Sequence, residues 1–453
     1  MNKKVLLISA NQLHDPYPIY PIGISYLTTY LKKYLPQFKV LTFDMNRGTL
    51  EELAGLLTAQ QPDYVGVSMR NIDGANSFDQ KSFIPGYEKI VCVVKKHSKA
   101  PVILGGAGFS IYPEILFERL GADFAVKGEG ETALTELITC LENQTDYSHI
   151  EGLLYRKAEK IILNSRREFS TKLTVFYDTD LTDYYWEHSG MLNIQTKRGC
   201  YHKCIYCSYP LIEGERVRTL DIDEIIDNIE RLWKEKNINY IFFTDSLFNI
   251  NREKTMELAE AIIRRNLKVQ WAAYFSPSYL LDEELALYKQ SGLMHIEFGS
   301  ESFSDTQLEN YGKNFTFDTI LKTSELALKH NIFYAHFMIL GGYGETEQTL
   351  DETFTNSKLL RYTVIFPFVG MRIYPGTPLQ KYAIRDGIIS SGDDLLEPRY
   401  YISPHFDQTT LKEKAKQTGK AWIFPDDISE VDIQAFKLKR KKKGLIWEYL
   451  RKP

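Results

Sequence analysis

The stretch Gly199-Cys200-Tyr201-His202-Lys203-Cys204-Ile205-Tyr206-Cys207-Ser208-Tyr209-Pro210 decides how the rest of the chain is interpreted. It holds three of the five cysteines in 453 residues, with the spacing C-x3-C-x2-C. Soft thiolate ligands gathered this closely are typical of zinc or of an iron–sulfur cluster. A structural zinc site needs four ligands, and His202 follows Cys200 too closely to complete a tetrahedron well.

Three ligands suit a 4Fe–4S cluster that keeps one iron open for a substrate. Two alternatives remain at the level of sequence, a zinc site and three small buried hydrophobic side chains. The loop favours a cluster because it follows an apolar strand and is flanked by aromatic residues. Cys200, Cys204 and Cys207 are therefore the expected metal ligands.

Length and composition limit the class of protein. A chain of 453 residues can form two or more domains, each with its own core. The formal net charge of −4 gives no indication of a nucleic-acid or membrane partner. No apolar run is long enough for a signal peptide or a membrane span. Few cysteines outside the motif favour a reducing compartment over a disulfide scaffold, so we expect a cytoplasmic protein.

Residues 1–143 alternate short apolar strands with helical stretches. This repetition, with strands rich in Val, Ile and Leu, predicts a parallel, doubly wound α/β sheet that binds a ligand beyond the carboxyl ends of its strands. The strands are predicted at Val5–Ser9, Val40–Asp44, Tyr64–Met69, Val102–Leu104 and Phe124–Val126. Residues 144–185 are expected to be a connector that contains a small hairpin at 151–162.

Residues 186–390 repeat the strand–helix pattern six times, which predicts a partial (β/α)6 barrel of the TIM type. The strands are predicted at Leu192–Thr196, Tyr240–Thr244, Val269–Tyr274, His295–Gly299, Tyr334–Leu340 and Met371–Tyr374. The cysteine loop then follows the first strand, at the barrel mouth where such folds place their chemistry. Residues 391–453 are expected to form a C-terminal helical extension, with a final helix over 429–450.

Strand alternation predicts which polar side chains point into the barrel. On the fourth strand these are His295, Glu297 and Glu301, and on the fifth strand Tyr334 and His336. A polar group inside a barrel needs a partner, which is either a neighbouring side chain or a bound substrate. We expect Glu297 or His336 to act as a base that removes a proton from substrate, with a buried hydrogen-bonded network as the alternative.

The cysteine spacing after a first barrel strand resembles that of radical S-adenosylmethionine (SAM) enzymes. The resemblance implies that SAM chelates the open iron through its amino and carboxylate groups. Two later segments, 299–302 and 340–345, resemble motifs that contact SAM, whereas Asp245-Ser246 replaces the Gly-Gly-Glu of many members. The SAM contacts that the resemblance implies are Tyr206, Asp245, Ser300, Glu301, Gly341 and Gly342.

Three N-terminal segments, residues 21–27, Gly105-Gly106 with Pro113, and residues 128–131, together resemble the cobalamin-binding domain that precedes the barrel in class B radical SAM enzymes. This implies a Rossmann-like (flavodoxin-like) fold. The implied cobalamin contacts are Ser68, Arg70, Asn71, Gly105, Gly106, Gly128, Glu129 and Gly130. The D-x-H-x-x-G motif, which supplies an axial histidine in other cobalamin enzymes, is absent. Arg70 is the candidate for the lower face of the cobalt, and a surface pair of Arg70 with Asp73 is the alternative.

The resemblance as a whole is to cobalamin-dependent (class B) radical SAM enzymes, and it implies a methyltransferase. A methyl group would move from SAM via methylcobalamin to an unactivated carbon or phosphorus of a small-molecule or peptide substrate. The implied cofactors are a 4Fe–4S cluster, SAM and cobalamin, with flavodoxin or ferredoxin as electron donor. Residues 69–73 resemble tryptophan methyltransferases of this class, which implies polar chemistry as a variant. The alternatives are a non-methylating rearrangement or cyclisation, and an iron–sulfur and cobalamin sensor.

Overall fold

The computed structural model describes residues 3–78, 80–166, 169, 177–278, 280–427 and 443–452. The chain divides into two compact units. The first comprises Met1–Asp73, Lys81–His188 and Leu211–Gly214, and the second comprises Gly74–Gln80, Ser189–Pro210 and Glu215–Pro453. Within the described ranges, no helix is both long enough and apolar enough to cross a bilayer.

The first unit alternates strands and helices as its sequence predicts. Its elements in chain order are β1 (Lys4–Ser9), α1 (Ile22–Tyr34), β2 (Lys39–Asp44), α2 (Leu50–Gln60), β3 (Tyr64–Ser68), α3 (Ile84–His97), β4 (Val102–Gly105), α4 (Ala107–Ile111), α5 (Pro113–Leu120), β5 (Phe124–Val126), α6 (Glu131–Asn143), β6 (Leu153–Lys157), β7 (Lys160–Leu163) and α7 (Thr182–Ser189).

The sheet of the first unit has the strand order β2-β1-β3-β4-β5-β6-β7. The first five strands are parallel, which confirms the doubly wound, flavodoxin-like sheet. The hairpin β6–β7 adds two antiparallel strands to its edge, so part of the expected connector 144–185 belongs to this sheet. The strand order reverses between β1 and β3, which is where sheets of this kind bind ligands.

The second unit continues the alternation, and of the elements below only α8 crosses the boundary, because its residues 211–213 belong to the first unit. Its elements are β8 (Leu192–Ile194), β9 (Lys197–Arg198), α8 (Tyr209–Glu213), β10 (Arg218–Thr219), α9 (Ile222–Lys236), β11 (Tyr240–Phe243), α10 (Arg252–Arg264), β12 (Gln270–Phe275), α11 (Asp282–Gln290), β13 (Leu293–Glu301), α12 (Asp305–Asn310), α13 (Phe317–Lys329), β14 (Phe333–Leu340), α14 (Glu347–Ser357), β15 (Val364–Val369), β16 (Met371–Arg372), α15 (Pro378–Arg385), β17 (Tyr400–Tyr401), α16 (Leu411–Gln417) and β18 (Ala421–Trp422).

A parallel sheet in the order β18-β15-β14-β13-β12-β11-β8 forms the partial barrel, as predicted. The sixth strand was predicted wrongly: it is β15, whereas Met371–Arg372 pairs with Tyr400–Tyr401 outside the barrel sheet. The strand β15 was missed because it contains Pro367, and proline cannot donate a hydrogen bond to a neighbouring strand. It is tolerated because β18 pairs only with the first two residues of β15.

Strand β14 has the opposite orientation to the one predicted. Met338 and Leu340 pack with Ile320 of α13 and Leu350 of α14 in one buried cluster, so the even-numbered residues of β14 face the helices. Tyr334 and His336 share that face, and the prediction that they point into the barrel was wrong. The odd-numbered residues, Phe337 among them, therefore face the barrel interior.

The final helix expected over 429–450 falls mostly outside the described residues. The described C-terminal segment, 443–452, ends in a short 3-10 helix at Trp447–Leu450. Leu445 and Trp447 are buried, so this segment is part of the core of the second unit.

Candidate active site

The cysteine loop is held by backbone hydrogen bonds from two other parts of the second unit. Ile205 N donates to Tyr311 O at 3.2 Å, and Leu379 N donates to Ile205 O at 2.9 Å. Gly312 has a φ of +73°, and a Cβ there would lie 2.7 Å from the carbonyl oxygen of Lys203. A glycine is therefore required at position 312 for the cysteine loop to take this path.

The three thiols interact with one another and accept hydrogen bonds. Cys204 interacts electrostatically with both Cys200 and Cys207. The backbone N–H of His202 donates to Cys200, and that of Tyr209 donates to Cys207. The Ser246 hydroxyl, close to Cys200, donates to Gly199 O at 3.4 Å. Hydrogen bonds to ligand sulfurs are one way in which proteins tune iron–sulfur clusters.

The chemistry of the donor set fits an iron–sulfur cluster, because its three ligands are all soft thiolates. Burial raises the pKa of the Cys207 thiol to about 12, so iron must drive its deprotonation.

Lys313 brings a buried positive charge to the cysteine loop. Its Nζ donates to Gly299 O at 3.2 Å and lies 3.4 Å from a carboxylate oxygen of Glu301. Burial alone would lower the pKa of Lys313, but Glu301, Cys204 and Cys207 outweigh burial and raise it. Lys313 therefore remains charged beside the thiols, where it can offset the negative charge of a thiolate-bound cluster.

Asp245 is buried and fully occupied by internal hydrogen bonds. One carboxylate oxygen accepts from the backbone N–H groups of Thr196 (2.7 Å) and Lys197 (3.1 Å). The other accepts from the Thr196 hydroxyl (2.6 Å) and the Lys197 ammonium (2.8 Å). A carboxylate has about four acceptor positions, so none is left for the SAM amino group. Asp245 instead anchors the chain that leads into the cysteine loop.

The other expected SAM contacts divide into two groups. Glu301 accepts a hydrogen bond from the Tyr206 hydroxyl, beside Lys313, at the carboxyl end of β13. The Ser300 hydroxyl instead bonds His336 Nδ1 at 2.8 Å and is fully buried, so it does not face the barrel mouth.

Gly341 and Gly342 form the turn that follows β14. The N–H of Gly341 donates to Glu345 at 3.1 Å, and the carbonyl of Gly342 accepts from the backbone N–H of the same residue. The carbonyl of Gly341 accepts from Ser403 N at 2.8 Å. These backbone groups hold the turn itself, so any SAM contact here has to come from the surface of the turn.

Glu297 and His295 form, with the C-terminal segment, what we call the barrel floor. Trp447 Nε1 donates to Glu297 Oε1 at 2.9 Å, and His295 bonds both Tyr240 and Glu448. Burial raises the pKa of Glu297 to about 7, although the hydrogen bond from Trp447 lowers it. Glu297 is therefore a carboxyl group that can exchange a proton near neutral pH.

His336 is enclosed between β14 and α13. Its Nδ1 bonds Ser300, its Nε2 lies 3.3 Å from the Ser324 hydroxyl of α13, and its ring stacks on Phe298. Burial lowers its pKa to about 3, so it is neutral. His336 does not reach the barrel interior, and its expected contact with substrate is not available in this position.

The expected cobalamin contacts of the first unit gather at one edge of its sheet. Met69 N donates to Gly105 O at 2.8 Å, and Gly108 N donates to Met69 O at 3.0 Å, so the loops after β3 and β4 are in contact. At Gly106, where φ is +102°, a Cβ would lie 2.4 Å from Met69 O. The Gly128 N–H donates to the Ser110 hydroxyl at 2.8 Å, which ties in the loop after β5. Gly130 and Glu129 continue this third loop.

Two side chains at this edge are available to a ligand. Asn11, directly after β1, is buried, and its Nδ2 has no hydrogen-bond partner among the described residues. Arg70 is exposed, and within the described ranges its guanidinium makes no hydrogen bond or ion pair, so the alternative pair with Asp73 is not formed. The Asn71 carbonyl accepts from the Tyr87 hydroxyl. An orphaned buried amide and a free guanidinium suit a large polar ligand such as cobalamin.

Lys197, Lys313, Asn11 and Trp447 were not identified from the sequence. Lys313 follows a glycine in a loop, and Asn11 follows a strand, but neither belongs to a recognisable motif. The position of Lys197, three residues before Cys200, is the only signal that could have indicated its role.

Two protein-family models match the chain. The model of the B12 binding domain matches residues 10–138, and the model of the radical SAM superfamily matches residues 194–355. The first range lies in the first unit, except for residues 74–80, and contains every expected cobalamin contact. The second range begins at the end of β8 and contains the three cysteines.

Relatives with assigned names extend over most of the chain. An uncharacterized methyltransferase of Pyrococcus horikoshii is 23% identical over 448 residues, which covers 95% of this chain and 94% of the relative. A tryptophan 2-C-methyltransferase of Streptomyces laurentii is 25% identical and covers 83% of this chain and 74% of the relative. An anaerobic magnesium-protoporphyrin IX monomethyl ester cyclase of Rubrivivax gelatinosus is 26% identical over 74% of this chain and 61% of the relative.

Among solved structures, the radical SAM methyltransferase TsrM of Kitasatospora setae, bound to tryptophan and a SAM analogue, matches with a TM-score of 0.89. It is 22% identical, and the match covers 99% of this chain and 97% of TsrM, which supports the fold of both units. The implied cofactors are thus a 4Fe–4S cluster, SAM and cobalamin. The chain thus matches a B12 binding domain followed by a radical SAM superfamily domain, which is the domain order of cobalamin-dependent radical SAM enzymes.

Proposed function

We propose that this enzyme transfers a methyl group from SAM, through bound cobalamin, to an unactivated carbon or to phosphorus of a small-molecule or peptide substrate. The observation that supports the proposal is that a B12 binding domain match and a radical SAM match occur together in one chain. This chain also matches an uncharacterized methyltransferase over 95% of its own length and 94% of the relative. A further match, to the cytidylyl-2-hydroxyethylphosphonate methyltransferase of Streptomyces wedmorensis, covers 88% of this chain at 21% identity.

The second unit supplies the groups around the cluster and SAM. The three thiols would hold the cluster, which, when bound, presents an open iron to SAM and supplies an electron. The Glu301 carboxylate lies at the carboxyl end of β13, where it could accept a hydrogen bond from SAM, and the Tyr206 hydroxyl of the cysteine loop, the other expected SAM contact, would orient it. Lys313, buried beside them, balances their charge. A flavodoxin or ferredoxin is the expected electron donor.

Glu297 is the candidate base. Its carboxyl group has a pKa of about 7, so a substantial fraction is ionised at neutral pH and can accept a proton from substrate. The Trp447 N–H orients the carboxyl and leaves its other oxygen for the substrate. Contact with SAM or substrate is not proposed for Ser300, Asp245 or His336. The internal hydrogen bonds of these side chains hold the strand ends in position.

Arg70 is the candidate for the lower face of the cobalt. A guanidinium stays protonated and offers no lone pair to a metal. Arg70 would therefore contact the corrinoid without ligating its cobalt, and cobalamin, when bound, would supply the methyl-carrying centre. Ser68, Asn71, Gly105, Gly106, Gly128, Glu129 and Gly130 would contact the rest of the corrinoid.

The test is transfer from deuterated-methyl SAM to the corrinoid of the reduced, anaerobically prepared holoenzyme. We expect S-adenosylhomocysteine to form and the label to appear on the corrinoid in a single turnover without substrate. The variant Arg70→His, which offers an imidazole, should shift the corrinoid absorption spectrum and slow this transfer. Cobalamin that stays unlabelled while SAM is bound would contradict the proposal.

A non-methylating cyclisation is a second candidate, because the chain also matches a cyclase over 74% of its length. With deuterated-methyl SAM, a product of changed structure that carries no label would favour cyclisation. A product that carries the deuterated methyl group would exclude it.

A further inference from the structure

Two buried side-chain amides at the carboxyl edge of the first unit's sheet are not fully used by the fold. Asn11 follows β1 and Asn46 follows β2, and the two residues are 5% and 6% exposed. In the part of the chain that the structure describes, Asn11 Nδ2 and Asn46 Oδ1 have no hydrogen-bond partner. An unmatched buried donor or acceptor costs free energy, so both atoms need partners from outside the folded chain.

The orientation of the Asn46 amide follows from its neighbours. The Tyr185 hydroxyl donates to Asp44 Oδ2 at 2.6 Å, so its oxygen can only accept a further hydrogen bond. Asn46 therefore presents Nδ2 to Tyr185, at 3.4 Å, and Oδ1 is the atom left over. The Asn46 backbone N–H donates to Asp44 Oδ1 at 3.2 Å, which holds the turn that carries this amide. Asn46 thus offers a buried acceptor, whereas Asn11 offers a buried donor.

Both amides lie at the edge of the sheet that carries expected cobalamin contacts. Ser9, the last residue of β1, is paired in register with Asp44 of β2 on one side and with Ser68 of β3 on the other. Asn11 stands two residues beyond Ser9, and Asn46 two residues beyond Asp44. Ser68 is one of the expected cobalamin contacts, and the strand order reverses between β1 and β3, where such sheets bind ligands.

We infer that Asn11 and Asn46 recognise the peripheral carboxamides of the corrinoid, with Asn11 Nδ2 donating to an amide oxygen and Asn46 Oδ1 accepting from an amide N–H. A primary carboxamide offers both a carbonyl acceptor and N–H donors. The corrin ring of cobalamin carries such groups around its edge. A corrinoid with esters in their place offers the acceptor alone and leaves Asn46 Oδ1 unmatched. The two residues therefore select amidated corrinoids.

Two corrinoid probes separate the donor from the acceptor. Cobinamide keeps the peripheral carboxamides and lacks the nucleotide, whereas heptamethyl cobyrinate carries methyl esters, which have carbonyl oxygens and no N–H. Both probes are given the same axial ligands. Retention is measured by equilibrium dialysis against the full chain, with its iron–sulfur cluster reconstituted and no corrinoid bound. Each variant is compared with the wild type for the same probe, so differences in bulk between the probes cancel.

Three variants test the two amides separately. Asn11→Ala should weaken retention of both probes about fivefold, because both offer a carbonyl oxygen to the lost donor. Asn46→Ala should weaken retention of cobinamide about fivefold and leave that of the ester within about twofold, because only the amide brings an N–H. Gln12→Ala, at the exposed side chain next to Asn11, is the control and should keep both probes within about twofold.

Two results of this experiment would overturn the inference. The first is unchanged retention of cobinamide in either asparagine variant. The second is an equal loss of cobinamide and ester in Asn46→Ala, which would mean that the change acts through the structure of the loop.

The stability of the corrinoid-free chain separates recognition from a structural role. Asn11→Leu keeps the volume of the side chain and removes the unmatched donor, so its unfolding midpoint should be no lower than that of the wild type. Its retention of cobinamide should still fall. A lower midpoint would mean that the fold itself uses this donor, through a buried water molecule, and would overturn the inference.

The inference concerns the choice of corrinoid and rests on corrinoid binding, which the proposed methyl transfer also requires. Methyl transfer from SAM is measured in the same preparations at saturating cobalamin. If the asparagine variants retain both probes as the wild type does and the corrinoid is methylated, the inference fails and the proposed function stands. If retention changes as expected but the corrinoid of the wild type is never methylated, the proposed function fails and the inference stands.

Discussion

The two ends of the partial barrel differ in how they are built. At the mouth, the three thiols lie in one loop of eight residues, Cys200 to Cys207, next to Lys313 and Glu301. At the floor, Glu297 and His295 of β13 meet Trp447 and Glu448, about 150 residues later in the chain. The mouth is therefore defined by local spacing and the floor by distant contacts. We therefore expect loss of a thiol at the mouth to lower cofactor content, and changes at the floor to lower stability without loss of cofactor.

The largest expected effect is at the mouth. Cys200→Ala, Cys204→Ala or Cys207→Ala each removes a ligand of the cluster, so iron content should fall from about four atoms per chain to near zero, and methyl transfer should be lost. Cys92→Ala, a change at an exposed cysteine of the first unit, is the control and should retain full iron. Normal iron content in all three loop variants would refute the ligand assignment.

Lys197→Met should be the most destabilising single change next to the mouth. The ammonium is 2% exposed and pairs with the fully buried Asp245 carboxylate, which would be left without its counter-charge. The expected loss is about 3 to 5 kcal/mol, together with poor iron uptake, because this pair anchors the cysteine loop. Thermal unfolding followed by circular dichroism measures the first effect and iron analysis the second.

Lys203→Met provides the comparison for that variant. Lys203 lies in the same loop, but its ammonium is 71% exposed and pairs with an equally exposed Glu215. Its loss should cost no more than about 1 kcal/mol. Equal destabilisation by the two lysine changes would mean that the buried pair has no special role.

Trp447→Ala tests the floor. The change removes a large side chain that is 6% exposed and the hydrogen bond to Glu297, so we expect a loss of about 3 to 4 kcal/mol in unfolding free energy. Iron and corrinoid contents should not change, because the mouth is built from other residues. Tyr449→Ala, at a side chain that is 53% exposed, should leave stability nearly unchanged. Loss of iron in Trp447→Ala would show that the two ends are coupled.

Glu297→Gln should raise the free energy of unfolding, whereas the changes above lower it. The gain is smaller and depends on pH. Burial raises the pKa of Glu297 from 4.5 to about 7 in the folded protein. Between about pH 4.5 and pH 7 the unfolded chain releases this proton and the folded chain keeps it, so the wild type loses stability as pH rises through this range. Glutamine does not titrate and still accepts from Trp447. The variant should gain relative stability over this range, by no more than about 3 kcal/mol, and level off above pH 7.

Unfolding midpoints at several pH values measure this difference. A constant difference between wild type and Glu297→Gln from pH 5 to pH 8 would contradict the raised pKa. His295 and Glu448, which lie next to Glu297 at the floor, are unchanged in both proteins, so their own titration cancels in the comparison.

The sequence predicted the features that depend on short spacing. The alternation of strands and helices predicted both sheets. The C-x3-C-x2-C spacing predicts the metal ligands, because ligands within one loop need no knowledge of the rest of the fold. The inward direction of Glu297 also followed from alternation on β13, where charged and apolar residues alternate clearly.

The errors have specific physical causes. The sequence Phe-Tyr-Ala-His-Phe-Met-Ile-Leu of β14 is apolar or amphipathic at every position, so alternation could not show which face meets the helices. Pro367 made β15 difficult to predict as a strand. The sequence does not show that β18 pairs with only the first two residues of β15, which leaves the position of Pro367 free of a partner strand on that side. Asp245 was placed correctly at a strand end, but only the structure shows that Lys197 and Thr196 occupy its oxygens.

The most direct test of the central claim is the cofactor content of the chain after anaerobic purification and reconstitution with iron, sulfide and cobalamin. We predict about four irons and four sulfides per chain, held by the three thiols, and one corrinoid held independently by the first unit. The triple variant with all three loop cysteines changed to alanine should keep the corrinoid and lose the iron. A wild-type protein that takes up neither would contradict the account.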